Sequence, residues 1–241
     1  MSLEIKQHTC EEPELALKGS KRQIQFIVNE MPDLLNKAIS QTLGIPLALQ
    51  WVSPLKADRY REYWDSAFLK SLKMSRFEPE LCNFWPNGGP HWDALARAKS
   101  DAGAEGVVLV EAKSHIAEMY AGGSKAKSGS RALEKIDVAI ARTKAWLNVD
   151  SSADWRGSHP YLLNGREYKG SLYQMANRLA HLYFFRKILG IDAWLVNVYF
   201  VNDPYKPTSI ADWQAGIANS KRALKLANTP FCADALMKAA G

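Results

Sequence analysis

The chain has 241 residues, 47% of them apolar, with 31 Lys+Arg against 25 Asp+Glu and a net charge of +6, the composition of an ordered globular protein. No stretch reaches the roughly 18 uncharged apolar residues that span a bilayer. The start, MSLEIKQHTCEEPELALKGSKRQ, lacks a signal peptide's apolar core, so no membrane partner and a cytoplasmic location are expected.

Cys10, Cys82 and Cys232 are too scattered for a disulfide framework or a CxxC metal pair and read as ordinary thiols. The first twenty residues carry no sustained period and are expected to form a frayed arm. From Arg22 the apolar spacing of Ile24, Ile27, Val28, Leu34, Leu35, Ala38 and Ile39 predicts two short helices, the second starting at Pro32-Asp33. A brief apolar run, Leu47 to Val52, lies between Pro46 and Pro54. Tyr60, Tyr63, Trp64, Ala67, Phe68 and Leu72 then predict a strong amphipathic helix with Arg61, Glu62, Asp65 and Lys70 on its other side.

The period then changes. Leu81 to Pro86, Trp92 to Ala98 and Val107 to Val110 predict three strands in a meander, the last covered on both faces. Residues 121–130, small and basic, predict an exposed mobile loop. Helices are expected over Arg131 to Val149, Ser171 to Leu189 and Ile210 to Ala227, and a buried strand over Ala193 to Val201. The fold class is therefore α/β (α+β) with a mixed central sheet. It is organised as an N-terminal arm and helices over 1–55 packed on a domain over 56–241.

The chemistry concentrates between Pro90 and Lys113. Lys99 to Gly106 is polar with two glycines and joins its flanking strands as an antiparallel hairpin. Asp93 and Glu111 are equidistant from Ala102, so a regular hairpin sets them opposite each other with Cβ atoms about 5 Å apart. Lys113 shares the face of Glu111, while the Ala112 side chain points the other way. Two facing carboxylates at the end of an apolar run are unfavourable unless a charge offsets them. A divalent cation does this, and paired hard oxygens suit Mg²⁺ or Mn²⁺. The bare pattern Glu-x-Lys occurs three times, at Glu4/Lys6, Glu111/Lys113 and Glu167/Lys169. Only the middle copy ends an apolar strand with an acid opposite it. A structural salt bridge among the same residues is the plain alternative.

This arrangement resembles the PD-(D/E)XK nuclease superfamily, over roughly Lys56 to Asp203. The resemblance implies an αβββαβ restriction-endonuclease-like core. It also implies Asp93 and Glu111 as ligands of Mg²⁺ or Mn²⁺, with the main-chain carbonyl of Ala112 adding an oxygen, and Lys113 as the catalytic lysine. Trp92 stands where proline commonly precedes the acid, the nearest proline being Pro90. On the helix after the Glu-x-Lys strand, Gln174, Asn177, Arg178 and His181 form one polar stripe at about 100° per residue. The resemblance makes Gln174 the candidate that supports the site; Arg178 and His181 stand equally well as a solvated face. Glu62 and Asp65 are both candidates for a further acid.

His91 and His115 are read as phosphate or water contacts rather than ligands, and the tryptophans, Trp64 included, as core. Lys125, Lys127 and Arg131 offer a cationic loop for a phosphate backbone. The resulting expectation is a metal-dependent nuclease acting on nucleic acid, DNA first, with a homodimer left open. The alternatives are an inactive nucleic-acid-binding or scaffold protein of the same fold, and an enzyme acting on another phosphate.

Overall fold

In a computed structural model the described residues are 15–101, 103–227 and 229–241. The arm therefore lies largely outside the described residues. The periodic segment after it forms two helices, α1 (Gly19–Glu30) and α2 (Pro32–Leu43), divided at Pro32 in the first turn of α2. The run between the two prolines becomes strand β1 (Leu47–Ser53). Segment 1–55 thus supplies an edge strand of the sheet as well as helices.

The amphipathic stretch after it is helical only over α3 (Asp65–Ser71), in place of a helix from Tyr60. Arg59 and Tyr60 take left-handed backbone, and Tyr63 forms a β-bridge with Trp92, so the chain is pinned in extended form until Trp64. Leu81 to Pro86 is also not a strand. It falls in helix α4 (Glu78–Phe84), whose start is set by Pro79 in the first turn and by Glu78 and Glu80 at the positive end of the helix dipole.

The hairpin forms as expected, from β2 (Ala94–Ser100) and β3 (Glu105–Lys113). Its register pairs Ala94 with Val110 and Leu95 with Leu109, which extrapolates to Asp93 facing Glu111. The expected three-strand meander is therefore not formed: the place beside β2 is taken by β1, antiparallel to it but joined to it through a connection that contains α3 and α4. After β3 come α5 (Ile116–Met119), the loop 121–130, and α6 (Arg131–Trp146), capped by the Ser130 hydroxyl, which accepts from Leu133 N–H at 3.2 Å.

A hairpin of β4 (Ser158–Leu163) and β5 (Arg166–Ser171) follows, turned by Asn164 and Gly165, both at positive φ. This is the Asn-Gly turn chemistry of a two-residue hairpin. Helix α7 (Tyr173–Tyr183) ends in a π-helical turn over Phe184–Ile188. Last come β6 (Asp192–Val201), α8 (Ile210–Ala223) and β7 (Cys232–Lys238).

The fold is mixed α/β. Its main sheet runs β1-β2-β3-β6-β7, antiparallel between the first three strands and parallel between β3, β6 and β7, with β4-β5 forming a separate small sheet. Helices α1 and α2 cover one face over Ala94, Ala96, Val108, Val110, Val196 and Val198. The remaining helices cover the other over Leu95, Val107, Leu109 and Leu195. Strands β3 and β6 are buried on both faces, which is why they read as continuous apolar runs. Alternation puts Asp93, Glu111 and Lys113 on the Leu95/Leu109 side, facing α7, and sends the Ala112 side chain into the other core.

Candidate metal and phosphate centre

Strand β3 carries Glu111 and Lys113 to its C-terminal end, and β6 lies parallel beside it with Asn197 level with Glu111 and Tyr199 level with Lys113. Helix α7 crosses above and lowers Gln174 and Arg178 onto this row. Glu111 is buried, and Lys113 Nζ donates to its Oε1. Arg178 Nε donates to the other oxygen, Oε2, at 2.6 Å. Lys113 Nζ also donates to Gln174 Oε1 at 2.9 Å. The ammonium is therefore held between the carboxylate and the helix amide.

Asp93 Oδ2 accepts from Ala112 N–H at 2.7 Å. The contact of Ala112 seen here is thus its amide, with its carbonyl oxygen the third hard donor that the resemblance implies.

Arg178 reaches further. Its Nη2 donates to the His91 carbonyl at 2.7 Å and its Nη1 to Asn177 Oδ1 at 2.7 Å, with its guanidinium 5.2 Å from the Trp92 ring centroid. One buried side chain thus ties Glu111 on β3 to the segment that leads into Asp93. The polar stripe of α7 is buried: Asn177, Arg178 and His181 are all enclosed, so for Arg178 and His181 the solvated-face reading gives way. Such groups require partners; His181 Nδ1 finds the Asn177 carbonyl at 2.8 Å, inside a ring of Phe68, Phe84, Trp85 and Trp92.

The two acids are in opposite electrostatic situations. Burial opposes ionisation of Glu111, but the Arg178 and Lys113 charges outweigh it and hold its carboxyl below the ordinary range. Asp93, half-buried, is pushed up to about 7 by burial and then by the Glu111 charge, which Lys113 and Arg178 only partly offset. An acid raised by a neighbouring carboxylate is what a divalent cation would relieve.

Among the described residues no group of three or more His, Cys, Asp or Glu side chains is arranged to hold a metal. Two carboxylates and a main-chain oxygen nevertheless fit a magnesium-like ion, which binds through one or two carboxylates and takes waters and substrate phosphate for the rest. The lone pairs of Glu111 not used by Lys113 and Arg178 leave it capacity to ligate. A cavity of ≈ 20 Å³, enough for about one water, opens beside Lys113, Gln174, Met175 and Tyr199.

Of the sequence-derived candidates, Asp93, Glu111, Lys113 and Gln174 come together. Glu62 lies level with Asp93 if the Tyr63–Trp92 bridge is extended by one pair, but it is ion-paired to Lys21 at 3.1 Å. Asp65 is engaged elsewhere, accepting from Gly88 N–H and, at 2.8 Å, from Gly89 N–H. His115 lies 3.5 Å from Glu118, and His91 is exposed on the surface beside Trp64. The glycine-rich loop begins next to the site, where a Cβ on Gly122 would lie 3.6 Å from Gln174 Nε2. Arg178 is the member that sequence reasoning undervalued; its signal was its place on the stripe with Gln174. No helix of the described residues is long and apolar enough to cross a membrane. Compared with family models, curated proteins and solved structures, the chain matches none.

Proposed function

We propose that this protein is a divalent-metal-dependent nuclease that hydrolyses phosphodiester bonds of nucleic acid, with DNA as the first substrate to test. The observation that carries the reading is the meeting of Asp93 and Glu111 at cross-strand register with Lys113 held between Glu111 and Gln174. Asp93, Glu111 and the carbonyl of Ala112 would hold Mg²⁺ or Mn²⁺, which when bound supplies an acidified water and neutralises charge on a phosphoryl oxygen. Lys113 presents a fixed cation toward the space where a phosphate would lie, suited to orienting a water and stabilising developing negative charge. Gln174 positions Lys113, and Arg178 positions Glu111 through the 2.6 Å contact. The loop with Lys125 and Lys127, which starts over Gln174, adds phosphate contacts of the salt-dependent kind.

The test is nicking of supercoiled plasmid with Mg²⁺ or Mn²⁺ by the wild type, Asp93→Ala and Lys113→Ala. Loss of cleavage in both variants is expected, and equal cleavage by all three removes the assignment. One observation favours a second reading, a nucleic-acid-binding protein without hydrolysis: both Glu111 oxygens already have cationic partners. Calorimetry separates the two, since that protein would bind nucleic acid without taking up Mn²⁺.

A further inference from the structure

Trp64 is 43% exposed, contrary to its reading as core. An isolated surface tryptophan needs no explanation. This one is not isolated. Its indole lies flat on the His91 imidazole, with ring centroids 4.4 Å apart and planes 12° from parallel, although the His91 ring is itself at the surface. The stack is held from below. Trp92 N–H donates to the Tyr63 carbonyl at 3.1 Å, fixing the two segments side by side, and Arg178 Nη2 grips the His91 carbonyl at 2.7 Å.

The location gives the stack a meaning. His91 precedes Asp93 by only two residues, so its backbone lies within about 7 Å of that acid, across the bend at Asp93. The guanidinium that holds the His91 carbonyl also donates to Glu111 Oε2. A pair of flat rings, partly open to solvent, is therefore tied to the acidic pair by two residues of backbone and one buried arginine.

We infer that Trp64 and His91 form a stacking platform for one unpaired nucleobase of the nucleotide next to the phosphate at Asp93, so that the preferred substrate is single-stranded or locally unpaired. The inference rests on the phosphodiester reading above. The chemistry selects an unpaired base because a base inside a duplex already has both faces covered by its neighbours, whereas an unpaired one can lie on an indole regardless of sequence.

The test measures binding in EDTA, where no cleavage takes place, by anisotropy of a short labelled single strand and of an equally long strand of abasic residues that keeps every phosphate. Wild type is expected to bind the base-bearing strand about tenfold more tightly, equivalent to about 1.4 kcal/mol and within the range for one stacked base. Trp64→Ala should lose that preference and leave abasic binding unchanged, Trp64→Phe should keep most of it, and a duplex closed at both ends should be insensitive to either change.

The proposal is overturned if Trp64→Ala binds the base-bearing strand as wild type does, if it weakens both strands equally, or if wild type shows no preference. Thermal melts of each variant accompany the titrations. Should Trp64→Ala melt early, Trp64→Phe and His91→Ala decide, because the first keeps a flat ring and the second removes only the exposed imidazole. Base-dependent binding with no Mn²⁺-dependent cleavage of either plasmid or single-stranded DNA would uphold the platform and reject the nuclease; cleavage without base preference would do the reverse.

Discussion

The substitution Asp93→Asn should stabilise the protein while abolishing the proposed cleavage, and its effect can be worked from the site. In the folded chain the Asp93 carboxyl is raised from its ordinary 3.8 to about 7, first by burial and then by Glu111. A carboxyl raised on folding costs stability once it must ionise. The penalty is absent well below pH 3.8, grows as the pH rises, and is complete above about 7.

The full difference corresponds to about 4 kcal/mol at 1.36 kcal/mol per pH unit. Because Asp93 is half-buried and partly screened by water, about half of this is expected, roughly 2 kcal/mol at pH 8 and about 1 kcal/mol at pH 5. Asparagine removes the charge and keeps an oxygen for the Ala112 N–H that Asp93 now accepts. Urea unfolding in EDTA at the two pH values measures the gain, which at pH 8 should appear as about 4–8 °C in Tm. On the proposed metal-dependent reading, Mn²⁺ should then reverse the order at pH 8, since only the wild type would bind it in the native state and be stabilised by that binding. A variant no more stable than wild type, or a gain that does not change with pH, would refute the electrostatic account of the site.

Two further outcomes follow from the same geometry. His181 is buried with its pKa held down to about 3, chiefly by burial, so the unfolded chain takes up a proton that the native one refuses. Stability should therefore fall progressively as the pH drops below about 6.5 toward 3, and His181→Gln should flatten that limb of an acid-unfolding curve. Gly106→Ala would bring a Cβ to 2.4 Å from the Asp192 carbonyl, where β3 meets the start of β6. A loss of about 3 kcal/mol or more in unfolding free energy is expected, and a silent substitution would show that the β3–β6 register is wrong.

The acidic pair was legible in the sequence because a hairpin's register follows from its own midpoint, a local property. Ala94 pairing with Val110 is the same arithmetic that set Asp93 against Glu111. Element type was less secure where apolar residues are dense but the run is short. Leu81 to Pro86 looks like a strand by content, yet the Glu78-Pro79-Glu80 start directs it into a helix. The β4–β5 hairpin was invisible to a search for apolar alternation because most of its side chains are exposed, although its Asn164-Gly165 turn was written in the chain. For Arg178, periodicity supplies the face of α7 but not what lies beneath it. That depends on β3 and β6 being neighbours through a connection longer than 75 residues, from Lys113 to Asp192, and no local pattern reports it. Trp64 erred in the opposite sense, since an aromatic at helical spacing is normally inward, and here the helix begins only after it.

The hairpin that unites the acids also separates them from its own tip. Ser100 lies seven positions from Asp93, about 24 Å of extended strand, and the turn glycine Gly103 has open space around its Cβ direction. Because the pairing of Ala94 with Val110 lies at the far end of the ladder, extra residues spliced beside Gly103 would lengthen the tip and leave the carboxylates in place. This makes the β2–β3 turn the natural point from which to hang a fluorophore or a surface tether on an otherwise unaltered protein.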